Sequence, residues 1–366
     1  MKILHVINSL ATGGAEKLVV DTLPLYAEHG IEIDLLLLNG TEYPFFKELA
    51  SLKCCGIFTL GMGSVYNPLH VLKIIPFLKN YDAVHIHLFP VQYWVVLAKI
   101  FSRSKTKLIF TEHSTSNRRI QGNVFMRFTD VIFYRQYNKI ICITAKIQEI
   151  LQYYTKLDNK KFVVIQNGVD LSKISQAIPT DKRLLPNDYT DNNLYLIQVS
   201  SFQEPKDQKT LIRAMTLLPN HYQLILVGVG PLKKECEDLA ANLGLKNRVS
   251  FLGTRMDVAA LLKMVDIIIL SSKYEGLSLS SIEGMASGKP FVASDVPGLK
   301  EVVSGAGILF PVGDEKKLAK EILHLSNDPD HYAATVEKCL ARAKEYDISK
   351  MVAEHINLYE EILRQQ

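Results

Sequence analysis

The chain has 366 residues, of which 48% are hydrophobic and 22% charged, with a net charge of +4. That length holds two domains with their cores, and no run reaches the roughly 18 apolar residues of a membrane-spanning helix. The five cysteines are odd in number and lack metal-ligand spacing, which argues against a disulfide scaffold or zinc module and for a reducing, cytoplasmic setting.

Short runs rich in Val, Ile and Leu alternate with segments of helical period, the pattern of an α/β protein with parallel sheets. The apolar start is too short for a signal peptide and gives way to Asn8 and Ser9, so Lys2–Ile7 reads as a first strand. A helix is expected from Gly14 to Ala27. Gly13 and Gly14 at its start allow close backbone approach to an anion, or equally form a plain tight turn. The second strand, Glu32–Leu38, ends without a ribose-binding acid, so this is not the dinucleotide fingerprint.

Further strands are expected at Ala83–His87, Lys107–Thr111, Lys139–Ile143 and Phe162–Ile165. His85 and His87 alternate on one strand; both read as structural, one toward the core and the other toward the opposite layer. His113 stands just past a strand's carboxyl end. There an imidazole can donate to a sugar hydroxyl or phosphate, accept a proton, or serve structure alone.

Charge is uneven. Residues 1–175 hold 20 Lys/Arg against 13 Asp/Glu, giving +7, while the remainder holds 22 against 25, giving −3. The stretch from Lys99 to Lys139 carries nine basic residues opposed by Glu112 and Asp130, interleaved with Trp94, Phe101, Phe110, Phe125, Phe128, Phe133 and Tyr134. Such a surface suits peripheral contact with anionic lipid, or is a solvated helix face over ordinary core. No nucleic-acid motif accompanies it.

Between Leu171 and Asn193 the pattern lapses into Ser, Pro, Asp and Asn, which reads as a linker. The alternation then restarts. Strands are expected at Leu194–Ser200, Tyr222–Val227, Val249–Leu252, Ile267–Leu270, Pro290–Ala293 and Gly307–Phe310. Helices are expected at Asp207–Leu217, Leu232–Leu243, Asp257–Met264 and Leu279–Ser287, with a last one from Ile348 to Leu363.

After the strand ending at Leu270 comes the most specific block. Glu275 lies at the opening of a turn, small residues lead into a helix, and Glu283 sits in its first turns, before Gly288-Lys-Pro290. Free amides at a helix N-terminus suit phosphate, and two carboxylates beside it suit sugar hydroxyls. Spacing alone means little, because Glu337 and Glu345 repeat it in a polar helical stretch, where they read as solvated charges. Lys206, after the second half's first strand, could neutralise a departing diphosphate, or is a solvated surface lysine. Gly228 and Gly230 read as turn chemistry. Asp328 and Asp330 lie in a polar loop and are discounted as a metal site.

Taken with Gly13-Gly14-Ala-Glu, Asp82-Ala-Val-His85-Ile-His87, Thr111-Glu-His113, Asn167-Gly-Val-Asp170 and Val227-Gly-Val-Gly-Pro231, the block resembles the glycosyltransferase group 1 family (family 4, retaining, GT-B fold). The resemblance spans nearly the whole chain. It implies two Rossmann-like doubly wound domains facing across a cleft: residues 1–175 on the acceptor side, 176–345 binding the nucleotide-sugar, and a C-terminal helix over 346–366 packing back on the first domain. It implies that Glu283 takes the ribose hydroxyls and Glu275 those of the donor sugar. Gly276, Leu277, Ser278, Leu279 and Ser280 would supply contacts to sugar and phosphates. Lys206 would hold the diphosphate, His113 would reach sugar or acceptor, and the turn with Thr254 and Arg255 would border the base. The catalytic set is thus His113, Glu275 and Lys206, with no metal or other cofactor, and the donor substrate is a nucleotide-diphosphate sugar, UDP favoured over GDP.

Two positions depart from the family pattern. Ser201 stands where an arginine is usual, removing one of two cations aimed at the leaving group, and Gly284 stands where alanine is usual. Retention without an evident nucleophile suggests front-side displacement, which relies on positioning and on leaving-group stabilisation. The activity implied is sugar transfer to a glycan or lipid-linked acceptor in cell-surface polysaccharide biosynthesis, in the cytoplasm or at the inner face of the membrane. The alternatives are a sugar-nucleotide epimerase of the same fold and a catalytically silent glycan-binding or assembly protein.

Overall fold

The computed structural model describes residues 1–113, 124–184 and 192–364. The chain divides into two compact units, 1–168 with 348–366, and 169–347. The boundary therefore falls near Gly168 rather than at 175/176. The described part of the expected linker belongs to the second unit: Leu171–Ser175 is helical, Thr180 N–H donates to the Ala260 carbonyl (3.2 Å), and Lys182 pairs with Asp266 (3.4 Å). Residues 185–191 lie outside the described residues. The helix Ile348–Arg364 is part of the first unit.

The first unit holds a seven-stranded sheet: β1 (Lys2–Ile7), β2 (Glu32–Leu37), β3 (Gly56–Thr59), β4 (Ala83–His87), β5 (Lys107–Glu112), β6 (Lys139–Cys142) and β7 (Phe162–Val164). Its order is β3-β2-β1-β4-β5-β6-β7 and every pairing is parallel. The second holds β8 (Leu194–Val199), β9 (Tyr222–Val227), β10 (Val249–Gly253), β11 (Ile267–Leu270), β12 (Phe291–Ser294) and β13 (Ile308–Phe310). These run β10-β9-β8-β11-β12-β13, again all parallel. Strands covered on both faces read as runs of Val, Ile and Leu, as Ile267–Leu270 does, because neither face meets water. β3, a half-exposed edge strand, has no such run and was not expected.

Strand order reverses between β1 and β4 in one unit and between β8 and β11 in the other. In doubly wound sheets ligands bind beyond the carboxyl ends of the strands at such a switch point. The loops after β8 and β11 carry Lys206 and Glu275. Asp328, discounted above as a metal ligand, caps the helix Pro329–Ala343 by accepting from His331 N–H at 2.9 Å.

Candidate functional site

In the second unit, two loops are clamped together at the β8/β11 switch point. Gln198, fully buried on β8, donates from Nε2 to Ser200 Oγ (3.0 Å) and to the Lys206 carbonyl (2.9 Å), and its Oε1 accepts from Ser271 Oγ (2.8 Å). Ser271 Oγ also reaches the Asp207 carbonyl (2.9 Å), and Gln208 Nε2 donates to Ser200 Oγ and the Ser201 carbonyl. These bonds hold the backbone turn from which Lys206 projects. Asp207, at φ 41°, completes that turn in the left-handed region, which non-glycine residues seldom occupy.

Lys206 Nζ meets Glu275 Oε1 at 2.5 Å, and Ser272 Oγ donates to the same oxygen at 2.6 Å. The Glu275 side chain is 8% exposed and that of Lys206 23%. An ammonium has three donors, so Lys206 keeps hydrogen-bonding capacity for a ligand while Glu275 orients it. Gly298, at φ 87°, is the residue that permits this loop to pack: a Cβ there would sit 2.5 Å from the Glu275 carbonyl oxygen. Gly228 and Gly230 make the same kind of close approach to the backbone of Ser200 and Phe202, so they do more than turn a corner.

Past Glu275, residues Gly276 to Ser278 lead into the helix Leu279–Ala286. Ser278 is its N-cap residue but makes no side-chain capping bond; its Oγ lies 3.0 Å from Ser280 Oγ instead. A helix start without a side-chain cap favours an anion. Glu283, 8% exposed, lines a small pocket with Ser280, Val199, Leu262 and Phe291. Gly284 has a packing cause: a Cβ would lie 2.6 Å from the Phe291 ring. Thr254 is exposed, and Arg255 is engaged by its neighbour, with Nε to Asp257 Oδ1 at 2.7 Å and Nη2 to Oδ2 at 2.5 Å. Ser201 is half-buried. Lys209, the next cation after Lys206 in the chain, pairs with Glu235, and Lys273, on the loop after β11, pairs with Glu204.

In the first unit, no side chain caps the helix Gly14–Glu28 at Gly13, and the Glu16 carboxylate lies against Gly13. The chain's own acid thus covers the place expected for an anion, and burial raises the pKa of that acid. His113 is half-buried, and burial pushes its pKa down to about 4. Its Nε2 lies 3.2 Å from His87 Nδ1.

The expectation that His85 and His87 face opposite layers is corrected. Strand side chains repeat every two residues, so both fall on one face, with ring centroids 4.3 Å apart. His5, paired with His85 in register, joins them on that face. Of the interleaved aromatics, Phe110 and Tyr134 are core and Trp94 Nε1 donates to the Val65 carbonyl, while Phe101 and Phe128 are exposed. The Phe125 side chain lies outside the described residues.

The residues that reading the sequence missed are Gln198, Gln208, Ser271 and Ser272. A buried glutamine in the otherwise apolar run Leu194–Val199 was the one available signal.

The same fold occurs in Anabaena Alr3699/HepE, crystallised in complex with UDP and glucose: TM-score 0.83, 23% identity, 98% of this chain and 99% of that chain covered. The fold is that of the GT-B class. Models of two families match the sequence, Glycosyltransferase Family 4 over residues 12–173 and Glycosyl transferases group 1 over residues 186–342. The chain belongs to this group 1, family 4 glycosyltransferase family. It is 26% identical over 296 residues to N-acetyl-alpha-D-glucosaminyl L-malate synthase of Bacillus anthracis, covering 78% of this chain and 76% of that one. It is 25% identical over 364 residues to a Campylobacter jejuni enzyme, N-acetylgalactosamine-N,N'-diacetylbacillosaminyl-diphospho-undecaprenol 4-alpha-N-acetylgalactosaminyltransferase, covering 94% and 95%.

Proposed function

We propose that this glycosyltransferase moves a sugar, with retention of anomeric configuration, from a UDP-sugar to a glycan or lipid-linked acceptor in cell-surface polysaccharide biosynthesis. The observation that carries the reading is the Lys206–Glu275–Ser272 cluster at the β8/β11 switch point, next to a helix end with no side-chain cap and to Glu283. In this reading Lys206 and the amides around Leu277 to Ser280 stabilise the diphosphate as it leaves. Glu275 orients the sugar, Glu283 the ribose, and His113 contacts sugar or acceptor. The bound UDP of the Anabaena neighbour and the diphospho-undecaprenol acceptor in the Campylobacter relative's name support the donor and acceptor classes.

No helix among the described residues is long and apolar enough to cross a membrane. Exposed Ile100, Phe101 and Phe128, with Lys99, Arg103 and Lys105 close in sequence, support peripheral contact with anionic lipid. The test is a screen of UDP- and GDP-sugars with undecaprenyl-diphosphate-linked acceptors, with the product linkage read by NMR. An axial donor giving an axial linkage is expected. An inverted linkage, or turnover of donor to its epimer without acceptor, would replace this reading.

A further inference from the structure

A chain of hydrogen bonds runs from His113 into the core of the first unit. His113 Nε2 meets His87 Nδ1 at 3.2 Å, and His87 Nε2 meets His5 Nδ1 at 3.1 Å. His5 Nε2 meets the Tyr359 hydroxyl at 3.3 Å, that hydroxyl meets His85 Nδ1 at 2.6 Å, and His85 Nε2 meets Thr111 Oγ1 at 2.6 Å. His5, His85 and His87 are at most 4% exposed, and each uses both ring nitrogens. Burial lowers the pKa of all of them, His5 to about 3, so the rings are neutral at ordinary pH.

A neutral imidazole has one N–H and one bare nitrogen. If His113 donates from Nε2, then His87 accepts at Nδ1 and must donate from Nε2, and His5 must do the same. If His87 instead donates to His113 from Nδ1, His5 also carries its proton on Nδ1. The three rings therefore share one tautomer, since any mixture sets two N–H groups or two lone pairs against each other. The Tyr359 hydroxyl, on the helix Ile348–Arg364, anchors the buried end of this chain. Within the described residues no partner is recorded for His113 Nδ1, the nitrogen outside the chain.

We propose that His87, His5 and Tyr359 are positioning residues that select which ring nitrogen of His113 carries the proton, and so whether Nδ1 offers a proton or a lone pair to the substrate. The catalytic half of this rests on the assignment of His113 to the substrate site made above.

Nitrogens of His5, His85 and His87 also lie within 4.8 Å of one another, a spacing that invites comparison with a metal site. A zinc ion needs a free lone pair from each ring at about 2.0–2.1 Å, whereas here both nitrogens of every ring hold one another, His113, Tyr359 or Thr111. The hydrogen-bonded chain accounts for every nitrogen, and a metal does not.

The test is long-range ¹H–¹⁵N spectroscopy of the full chain labelled at histidine, at pH 7.5, beside steady-state kinetics. His113, His87 and His5 should report the same neutral tautomer. Tyr359→Phe and His5→Leu should convert the His113 signal to a mixture and lower kcat roughly tenfold, with donor KM and UDP affinity held within about twofold. His5→Gln, whose amide both donates and accepts, should retain the single tautomer and most of kcat. Differing tautomers in the native chain, a His113 signal unmoved by Tyr359→Phe and His5→Leu, or stoichiometric zinc in the purified protein would overturn the proposal. So would a moved tautomer with unchanged kcat. If His113→Ala keeps full transfer, the assignment of His113 to the substrate site falls, while the tautomer spectra still decide the chain.

Discussion

Mild acid should unfold the first unit selectively. Unfolded histidine binds a proton as pH falls through 6.5, whereas folded His5 and His355 stay neutral until about 3 and His85 and His87 are held well below 6.5. Unfolding therefore takes up four protons, and stability, complete above pH 6.5, is lost as pH falls below it. His113 adds to this but is half-buried and is left out of the sum. Asp130 works in the opposite sense: burial raises it from 3.8 to about 6, so the folded state gains one proton first. Glu16, also raised, adds to that offset. Each net proton is worth about 1.4 kcal/mol per pH unit, and with the histidines partly titrated the step from pH 6.5 to 5.5 should cost about 3 kcal/mol. Trp94 is the single tryptophan and lies in the first unit, in the helix Val91–Ser102. Its fluorescence in urea titrations at the two pH values reads that unit alone. A midpoint that is unchanged, or that rises at pH 5.5, would refute the reasoning.

Three further outcomes follow from the second unit. Lys206→Ala should lower kcat by about 10²–10³ while far-UV circular dichroism is unchanged; a loss below threefold would remove Lys206 from leaving-group stabilisation. Ser201→Arg restores a second cation on the phosphate side, so UDP affinity should rise several-fold at low salt and fall back as salt is added; an unchanged affinity would show that the phosphate side has no use for it. Gly298→Ala places a methyl group against the Glu275 and Gly276 carbonyls at a positive φ, and should cost roughly 1–3 kcal/mol together with UDP binding. A thermal midpoint equal to that of the native chain would contradict the close approach.

Most of the fold was legible because strands buried on both faces show as short runs rich in Val, Ile and Leu, and twelve of the thirteen were expected on that pattern. β3 was not, since an edge strand with two exposed residues needs no apolar run. The segment after Leu171 has linker composition, yet Leu171–Ser175 docks as a helix on the second unit; polar surface residues do not show what lies beneath them. Within the site, the Glu275 to Glu283 block was readable from its setting of strand, turn and helix. The Lys206–Glu275 pair was not, because the two residues are 69 apart in the chain and meet only through strand order. The Gln198 and Gln208 clamp was hidden for the same reason. The histidines were visible as residues, but their common face required applying the two-residue period of a strand, and their link to Tyr359 required the last helix to be placed.

A nucleotide-sugar held at the β8/β11 switch point needs the Glu283 carboxylate, and calorimetric titration of UDP into the native chain and Glu283→Ala measures that need. The native chain should bind UDP more tightly than GDP, and Glu283→Ala should weaken UDP by at least about tenfold, the loss of a charge-assisted pair of hydrogen bonds. Equal UDP affinity in the two proteins would contradict the placement of the donor.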